Sequence, residues 1–335
     1  MESVWYKHLV SSNPYDPILP PRFVLCVAAN SFSPHKQQTN KSTLTIMSSK
    51  NLTINSFLTL SNGIKMPLLG LGTYKAIDTI ENAIKAAYDA GYRHIDTAAF
   101  YQNEKQIGEA IRNLGIPRDQ LFITSKLWYT EHGYEKTIAA CNQTLKLLGM
   151  DYVDLYLVHW PGTQEDGPRN PIIRRDTWRA MEQLYNEGKC KAIGVSNYTV
   201  SHLKEMIEEG SKYKVNIFPM VNQFELHPKL TQKELIQYCK SHNIIVESYS
   251  PFGKGKLISN PELSQLATKY KVSVAQLIIR WLLQQDIVAI PKSDKPNRIV
   301  DNANVYHFEI SEEDMKQIDA LNEDWHCTWN PYTIE

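Results

Sequence analysis

Apolar residues recur along this chain in two alternating textures. Short, nearly continuous runs such as "LFITSKLW", "YVDLYLVHWP" and "IIVESYSPFG" are separated by stretches such as "TIENAIKAAYDAG" and "EKQIGEAIRNLG", where apolar residues return every three or four positions. The first texture is that of strands buried on both faces, the second that of amphipathic helices. From about Phe57, "FLTLSNGIKMP" alternates around Asn62-Gly63 and predicts a hairpin. Eight strand–helix units follow. Their strands are "PLLGLGTY", "HIDTA", "LFITSKLW", "YVDLYLVHWP", "AIGVSNY", "PMVNQFELHP", "IIVESYSPFG" and "IVAIPKS". The fourth helix is expected over "TWRAMEQLYNEGK", and extra helices follow the seventh strand ("PELSQLATKY") and close the chain ("SEEDMKQIDALN"). Eight units in unbroken series predict an α/β fold, a (β/α)8 TIM barrel whose hairpin plugs the bottom. A doubly wound sheet is the rival, but "GLGTYK" offers only Gly70 and Gly72 and no helix start follows.

The first part of the chain has neither texture. "SSNPYDPILPPRF" and "NSFSPHKQQTNKST" are rich in Pro, Ser, Asn and Gln, with the short apolar run "FVLCVAAN" between them. Residues 1–54 are expected to be a disordered or optional leader, with Met47 an alternative start, and residues 55–335 a single barrel domain. A signal peptide is disfavoured because the apolar run is short and its upstream flank is Pro-rich rather than basic; a transit peptide would want more arginine. In that setting the sequons "NQT" and "NYT" are expected to be incidental.

Composition narrows the functional classes. Of 335 residues 42% are hydrophobic and 21% charged, enough for a full core. Lysine plus arginine number 36 and aspartate plus glutamate 36, a balance that leaves no electrostatic footprint for nucleic acid or an anionic membrane. Five scattered cysteines, Cys26, Cys141, Cys190, Cys239 and Cys327, form no C-x-x-C pair, which fits reduced thiols and a cytoplasmic location.

Chemistry in a barrel gathers where the strands end. Strand two ends at Asp96, with Tyr101 in the next loop, strand three at Lys126 and strand four at His159. Strand five ends at Ser196 and Asn197, strand six at Gln223, strand seven at Tyr249 and strand eight at Lys292 and Ser293. Singly, each has an ordinary explanation: a buried acid satisfied by amides, a snorkelling lysine, a packing tyrosine, a core histidine. A ring of them after otherwise apolar strands is harder to attribute to coincidence. Asp96 is expected to pair with Lys126, and Lys126 to lower the tyrosine pKa, ordinarily about 10, so that Tyr101 serves as a general acid with His159 orienting the same substrate oxygen. A metal site from His94, His159 and His227 is the weaker alternative, because their spacing is wide and no ligand motif appears. No metal is expected.

The blocks "GYRHIDTAAFYQNEKQIG", "ITSKLW", "YLVHWP", "GVSNY", "NQFELHP" and "IPKSDKPNRIVDN" resemble the aldo-keto reductase superfamily, in the family's order, from roughly Phe57 to the C-terminus. The resemblance extends to the prostaglandin F synthase, diketogluconate reductase and aldose reductase-like members. It implies NADPH-dependent reduction of aldehydes and ketones, with Asp96, Tyr101, Lys126 and His159 as the catalytic tetrad and Tyr101 as proton donor. It implies that Ser196, Asn197 and Gln223 hold the nicotinamide carboxamide and that Tyr249 stacks on the ring. It places Lys292, Ser293 and Arg298 around the adenosine 2′-phosphate, Asn302 at the adenine, and Gly72, Thr73, Asp96 and Ser250 among the other NADPH/NADP+ contacts. Asp301 stands where many members have glutamate. The residues themselves support the phosphate assignment, since two cations beside a helix start suit a dianion.

Tyr74, Phe100, Trp128, His159 and Trp160 are expected to line the substrate mouth, Tyr74 standing where many animal members carry tryptophan. The tail "NEDWHCTWNPYTIE" is expected either to fold over the mouth with Trp325, Trp329 and Tyr332 or to pack on the barrel wall. Such a wall favours a hydrophobic or aromatic carbonyl on a small-molecule substrate. The loop "SPFGKGKLISNPE" is short, which suggests an open site and fast cofactor exchange. A monomer with no nucleic-acid or membrane partner is expected. The alternative function is a cofactor-binding regulatory or structural barrel with little turnover, and a sugar-phosphate lyase or isomerase is a third class; neither needs the whole tetrad together with a nicotinamide seat.

Overall fold

The structure, a computed structural model, describes residues 52–208 and 210–335. The expected leader lies outside the described residues except for its last three. Of these, Leu52 is buried and Ile54 packs against the core.

The hairpin pairs β1 (Phe57–Thr59) with β2 (Lys65–Pro67), Leu58 opposite Met66. Its turn is closed by the Gly63 amide donating to the Leu60 carbonyl, with Gly63 at φ +88°, a conformation a side chain resists. Eight parallel strands follow: β3 (Leu71–Gly72), β4 (His94–Asp96), β5 (Phe122–Leu127), β6 (Leu155–Val158), β7 (Ile193–Ser196), β8 (Val221–Glu225), β9 (Ile245–Tyr249) and β10 (Val288–Ala289). They hydrogen-bond in sequence order, and bridges from Leu69 to Ala289 and from Gly72 to Lys292 join the first strand to the last. The sheet thus curls round onto itself as the expected barrel. Closure is tight at Gly72, where a Cβ would stand 2.8 Å from the Ile290 carbonyl.

Helices α1 (Ile80–Asp89), α2 (Glu104–Asn113), α3 (Tyr134–Leu148), α4 (Asn170–Asn186), α5 (Val200–Ile207) and α6 (Lys233–Ser241) follow β3 to β8 in turn. Then α7 (Pro261–Tyr270) and α8 (Val274–Leu283) follow β9, α9 (Pro296–Ala303) follows β10, and α10 (Glu312–Asp319) precedes the tail. The expectation at α4 was seven residues short. The helix starts at Asn170, with Pro171 in its first turn. Its inner face there carries a buried arginine instead of an apolar residue: Arg174 makes a forked pair to Glu205 at 3.0 and 2.8 Å. No helix among the described residues is long and apolar enough to cross a membrane.

Every residue of β5, β6, β7 and β8 is buried. Alternate residues of a strand face one side. A hydrogen bond from β8 to β4 across the barrel interior, Gln223 Nε2 to Asp96 Oδ2 at 2.9 Å, shows that these two point inward. The barrel therefore carries a layer of polar and charged side chains directly beneath its mouth.

Candidate active site

Asp96 is the last residue of β4 and Lys126 the fifth of β5, the adjacent strand. The Lys126 ammonium is completely buried and makes three contacts: Asp96 Oδ1 at 2.6 Å, the Thr97 carbonyl at 2.9 Å and the Tyr101 hydroxyl at 3.4 Å. An ammonium so enclosed needs a carboxylate and further acceptors to offset lost hydration. Tyr101 lies on a short 3-10 turn after β4, and His159 directly follows β6. Their rings meet edge to face with centroids 5.8 Å apart. The structure brings all four expected residues together.

The electrostatics differ from expectation at Tyr101. Its pKa is raised well above the usual phenol value, first by burial and then by the negative charge of Asp96, the neighbouring Tyr74 and Glu247. The expectation that Lys126 lowers it fails first because the phenol is buried; the ammonium, 2.6 Å from Asp96 and 3.4 Å from the phenol, does not offset that. Asp96 is itself pushed up by burial, against the opposing charge and hydrogen bond of Lys126 and a hydrogen bond from Gln223. His159 falls well below the usual imidazole range through burial and the Lys126 charge, so its ring is neutral. Its Nδ1 is buried without a hydrogen-bond partner.

Aromatic rings surround this group. Phe100 stacks on Trp128 with centroids 4.0 Å apart, Tyr74 lies 5.0 Å from Tyr101, and Trp128 lies 5.2 Å from His159. Trp160 is buried and touches Trp329 of the tail at 5.6 Å, while Trp329 also reaches Trp128 at 6.1 Å. The tail divides between its two expected roles. Trp329 joins the mouth; Trp325 packs against the core and His227; Tyr332 lies further out, against His326.

Glu225, the last residue of β8, fastens this tail. It accepts the Cys327 amide at 2.7 Å, the Thr328 amide at 3.0 Å and the Thr328 hydroxyl, and it contacts His227 Nε2 at 3.0 Å. Burial alone would raise its pKa, but hydrogen bonds from His227, Cys327 and Thr328 outweigh that and hold it at about 2. The loop after β9 meets the same segment. The Lys254 ammonium donates to the Cys327 carbonyl at 2.5 Å, and a Cβ on Gly253 would stand 2.8 Å from the Trp325 ring. Among the described residues the metal-competent grouping is Glu225, His227 and Cys327, not the three histidines weighed from sequence. His94 instead bonds the Thr124 hydroxyl at 3.0 Å.

The residues expected to hold a cofactor fall around the rim. Asn197, at φ +63°, donates to the His159 carbonyl at 2.9 Å and accepts from the Tyr249 hydroxyl at 2.8 Å, and Tyr249 also meets Thr328 at 3.0 Å. Ser196 is buried beside Asn197, its Oγ accepting from the amide at 3.1 Å, and Ser250 adopts φ +52° just past β9. Thr73 donates through both its amide and its hydroxyl to the Asp96 carbonyl, at 3.1 and 2.9 Å. Lys292 and Arg298 are exposed near the start of α9, where the Ser293 hydroxyl accepts the Lys295 amide at 3.1 Å. Asn302 is buried on α9. Gln223 departs from expectation: it is the third of five residues in β8, not its end. Both its N–H groups go to carboxylates, Asp96 at 2.9 Å and Glu247 at 2.8 Å.

Three residues central to this arrangement escaped sequence reasoning. Glu247 was visible as an acid inside the apolar run "IIVESY". Asn103 is buried and ties the loops after β3 and β4 together, donating to the Thr73 and Ala76 carbonyls at 2.9 and 3.0 Å and accepting from Thr97 at 2.7 Å. Nothing local distinguishes it from a helix cap. Glu225 lies past the expected end of its strand at Gln223, and its tail partners, Cys327 and Thr328, are 102 and 103 residues away.

Comparison with known proteins adds independent findings. Residues 68–323 match the model of the Aldo/keto reductase family. The chain is 49% identical over 274 residues to the glyoxal reductase of Bacillus subtilis, covering 81% of this chain and 95% of that one. It is 47% identical over 272 residues to the 9,11-endoperoxide prostaglandin H2 reductase of Trypanosoma cruzi, covering 80% and 92%. Among solved structures, an aldo-keto reductase from a Medee basin deep-sea metagenome library superposes with a TM-score of 0.76 at 43% identity, covering 84% of this chain and all of that one. A silkworm (Bombyx mori) aldo-keto reductase solved with NADPH gives 0.76 at 32% identity, covering 83% and 91%.

Proposed function

The chain belongs to the aldo/keto reductase family, and from that premise we propose that Tyr101 is the proton donor in an NADPH-dependent reduction of apolar aldehydes and ketones. The carrying observation is the buried Lys126 ammonium held between Asp96 and the Tyr101 hydroxyl at the floor of an aromatic mouth.

The residues present suit the cofactor. Gln223 keeps only its amide oxygen for a ligand, an acceptor for a carboxamide N–H. Lys292 and Arg298 suit the 2′-phosphate that distinguishes NADPH from NADH, and Tyr249 and Asn197 are tied to the His159 carbonyl beside Tyr101. When bound, the nicotinamide supplies the hydride to the carbonyl carbon. The Tyr101 O–H donates its proton to the carbonyl oxygen, and solvent later restores it. The tyrosinate so formed lies against Lys126, whose hydrogen bond stabilises it more than it stabilises the neutral phenol; that is selective transition-state stabilisation. Asp96 holds the ammonium in place. Neutral His159 can donate a ring N–H to the same oxygen without adding charge. Tyr74, Phe100, Trp128 and Trp329 give the mouth an aromatic wall that favours an apolar or aromatic substituent.

The test is NADPH consumption with 4-nitrobenzaldehyde. Wild type is expected to turn over. Tyr101→Phe is expected to bind NADPH and lose about 10²–10⁴-fold in kcat, the usual range for a general acid. Retained turnover in that variant, or wild type that binds NADPH without oxidising it against a panel of carbonyls, would overturn the reading.

A further inference from the structure

The mechanism above leaves one completely buried acid without a task. Glu247 pairs in register with Gln223 on β8 and Val288 on β10. Its Oε2 accepts from Gln223 at 2.8 Å; its Oε1 has no hydrogen-bond partner among the described residues and lies 3.7 Å from His94 Nε2. We propose that Glu247 is a positioning residue for the reduction: its carboxyl and that of Asp96 take both N–H groups of Gln223, leaving the amide oxygen alone to receive the cofactor's carboxamide. This rests on the reductase reading.

An amide can flip, exchanging donor for acceptor at nearly the same shape. With Asp96 alone beneath it, Gln223 keeps one N–H unpaired, free to turn toward a ligand. With Glu247 as well, both N–H groups are held and a flip would lose two hydrogen bonds, so the amide oxygen alone is left for the ligand. Glu247 also governs charge. The titratable groups facing it are His94 and Asp96 from β4, Lys126 from β5 and Tyr101 from the loop after β4, while Gln223 and Val288 are its neighbours on β8 and β10. His94 is held neutral, at about 3, by burial and by Lys126, which leaves Lys126 as the cation of this group. One ammonium cannot cheaply balance two carboxylates. Lys126 is 2.6 Å from Asp96, so Asp96 takes the charge and Glu247 the proton. Burial, and then the Asp96 charge, hold Glu247 at about 8. Above that pH its ionisation raises the Tyr101 pKa further and makes the phenol a poorer donor.

The experiment compares wild type with Glu247→Gln and Glu247→Leu. Wild-type kcat/KM for 4-nitrobenzaldehyde should fall as pH rises through about 8, and Glu247→Gln should lose that limb or move it by more than a pH unit. Glu247→Leu frees an N–H of Gln223 and should weaken NADPH binding, read by fluorescence titration, roughly tenfold, the size of one buried hydrogen bond. A third readout needs no cofactor. A carboxyl whose folded pKa exceeds its unfolded value costs stability as pH rises between the two, so wild type should lose urea resistance relative to Glu247→Gln from about pH 4.5 to about 8. Superimposed pH–rate profiles, or unchanged NADPH affinity in Glu247→Leu, would overturn the inference alone. If Glu247→Leu does not fold, the Glu247→Gln profile decides. No NADPH oxidation by wild type at any pH would remove the reductase reading and this inference together.

Discussion

At the scale of residues, the site is a balance of one cation against two acids and a phenol. Among the described residues, Lys126 and Asp96 are each other's only opposite charge within hydrogen-bonding distance, and both are buried. Removing one strands the other. Lys126→Met should therefore cost about 3–5 kcal/mol in urea unfolding, the range for a broken buried pair. The double variant Asp96→Leu with Lys126→Met should recover much of that stability while remaining inactive. A double variant no more stable than the single one would show that the pair contributes to the fold by more than mutual compensation. Asp96, Tyr101, Lys126 and His159 were legible in the sequence because each follows or ends an apolar run. The direction of the Tyr101 shift was not, because it depends first on how deeply the fold buries the phenol and then on the acids around it.

At the scale of elements, the packing between helices and the start of α9 are the places where single residues matter most. Helices α2 and α3 meet at Gly108, where an added Cβ would lie 2.0 Å from the Leu148 carbonyl. Backbone cannot step aside as a flexible side chain does. Gly108→Ala is expected to destabilise the fold by about 1–3 kcal/mol through overpacking, seen as a lower urea midpoint with an unchanged slope. At α9, Arg298→Ala should raise the KM for NADPH at least tenfold and leave that for NADH little changed, since only NADPH carries the 2′-phosphate. An equal loss with both nucleotides would place Arg298 elsewhere than at that phosphate. Helix positions were recovered from periodicity to within three residues except at the start of α4, where buried Arg174 breaks the apolar pattern that periodicity relies on.

At the scale of the whole molecule, the last residues are bound back onto the barrel. Glu225 holds Cys327 and Thr328, Arg174 reaches the Glu335 carbonyl at 2.6 Å, and His202 Nε2 contacts the Ile334 carbonyl at 2.9 Å. Glu225 has a folded pKa of about 2, below its unfolded value. Its contribution is present above about pH 4.5 and is lost as pH falls toward 2. Acrylamide quenching of tryptophan should rise over that window as Trp325 is released from the core, and Glu225→Gln should show raised quenching already at pH 7. Quenching that stays constant until global unfolding would show that the tail does not depend on this carboxylate.

The sequence by itself determined the order of strands and helices, because apolar periodicity is a local consequence of backbone geometry. It determined the ring of chemistry too, because a polar residue at the end of a buried strand has little place to go but the mouth. Only the tertiary structure decided which carboxylate faces the Lys126 ammonium, that Gln223 sits between Asp96 and Glu247, and that Glu225 anchors the tail. Those outcomes depend on distances of two to four ångströms between side chains up to 127 residues apart, and in a buried site such distances set the electrostatics more than residue identity does.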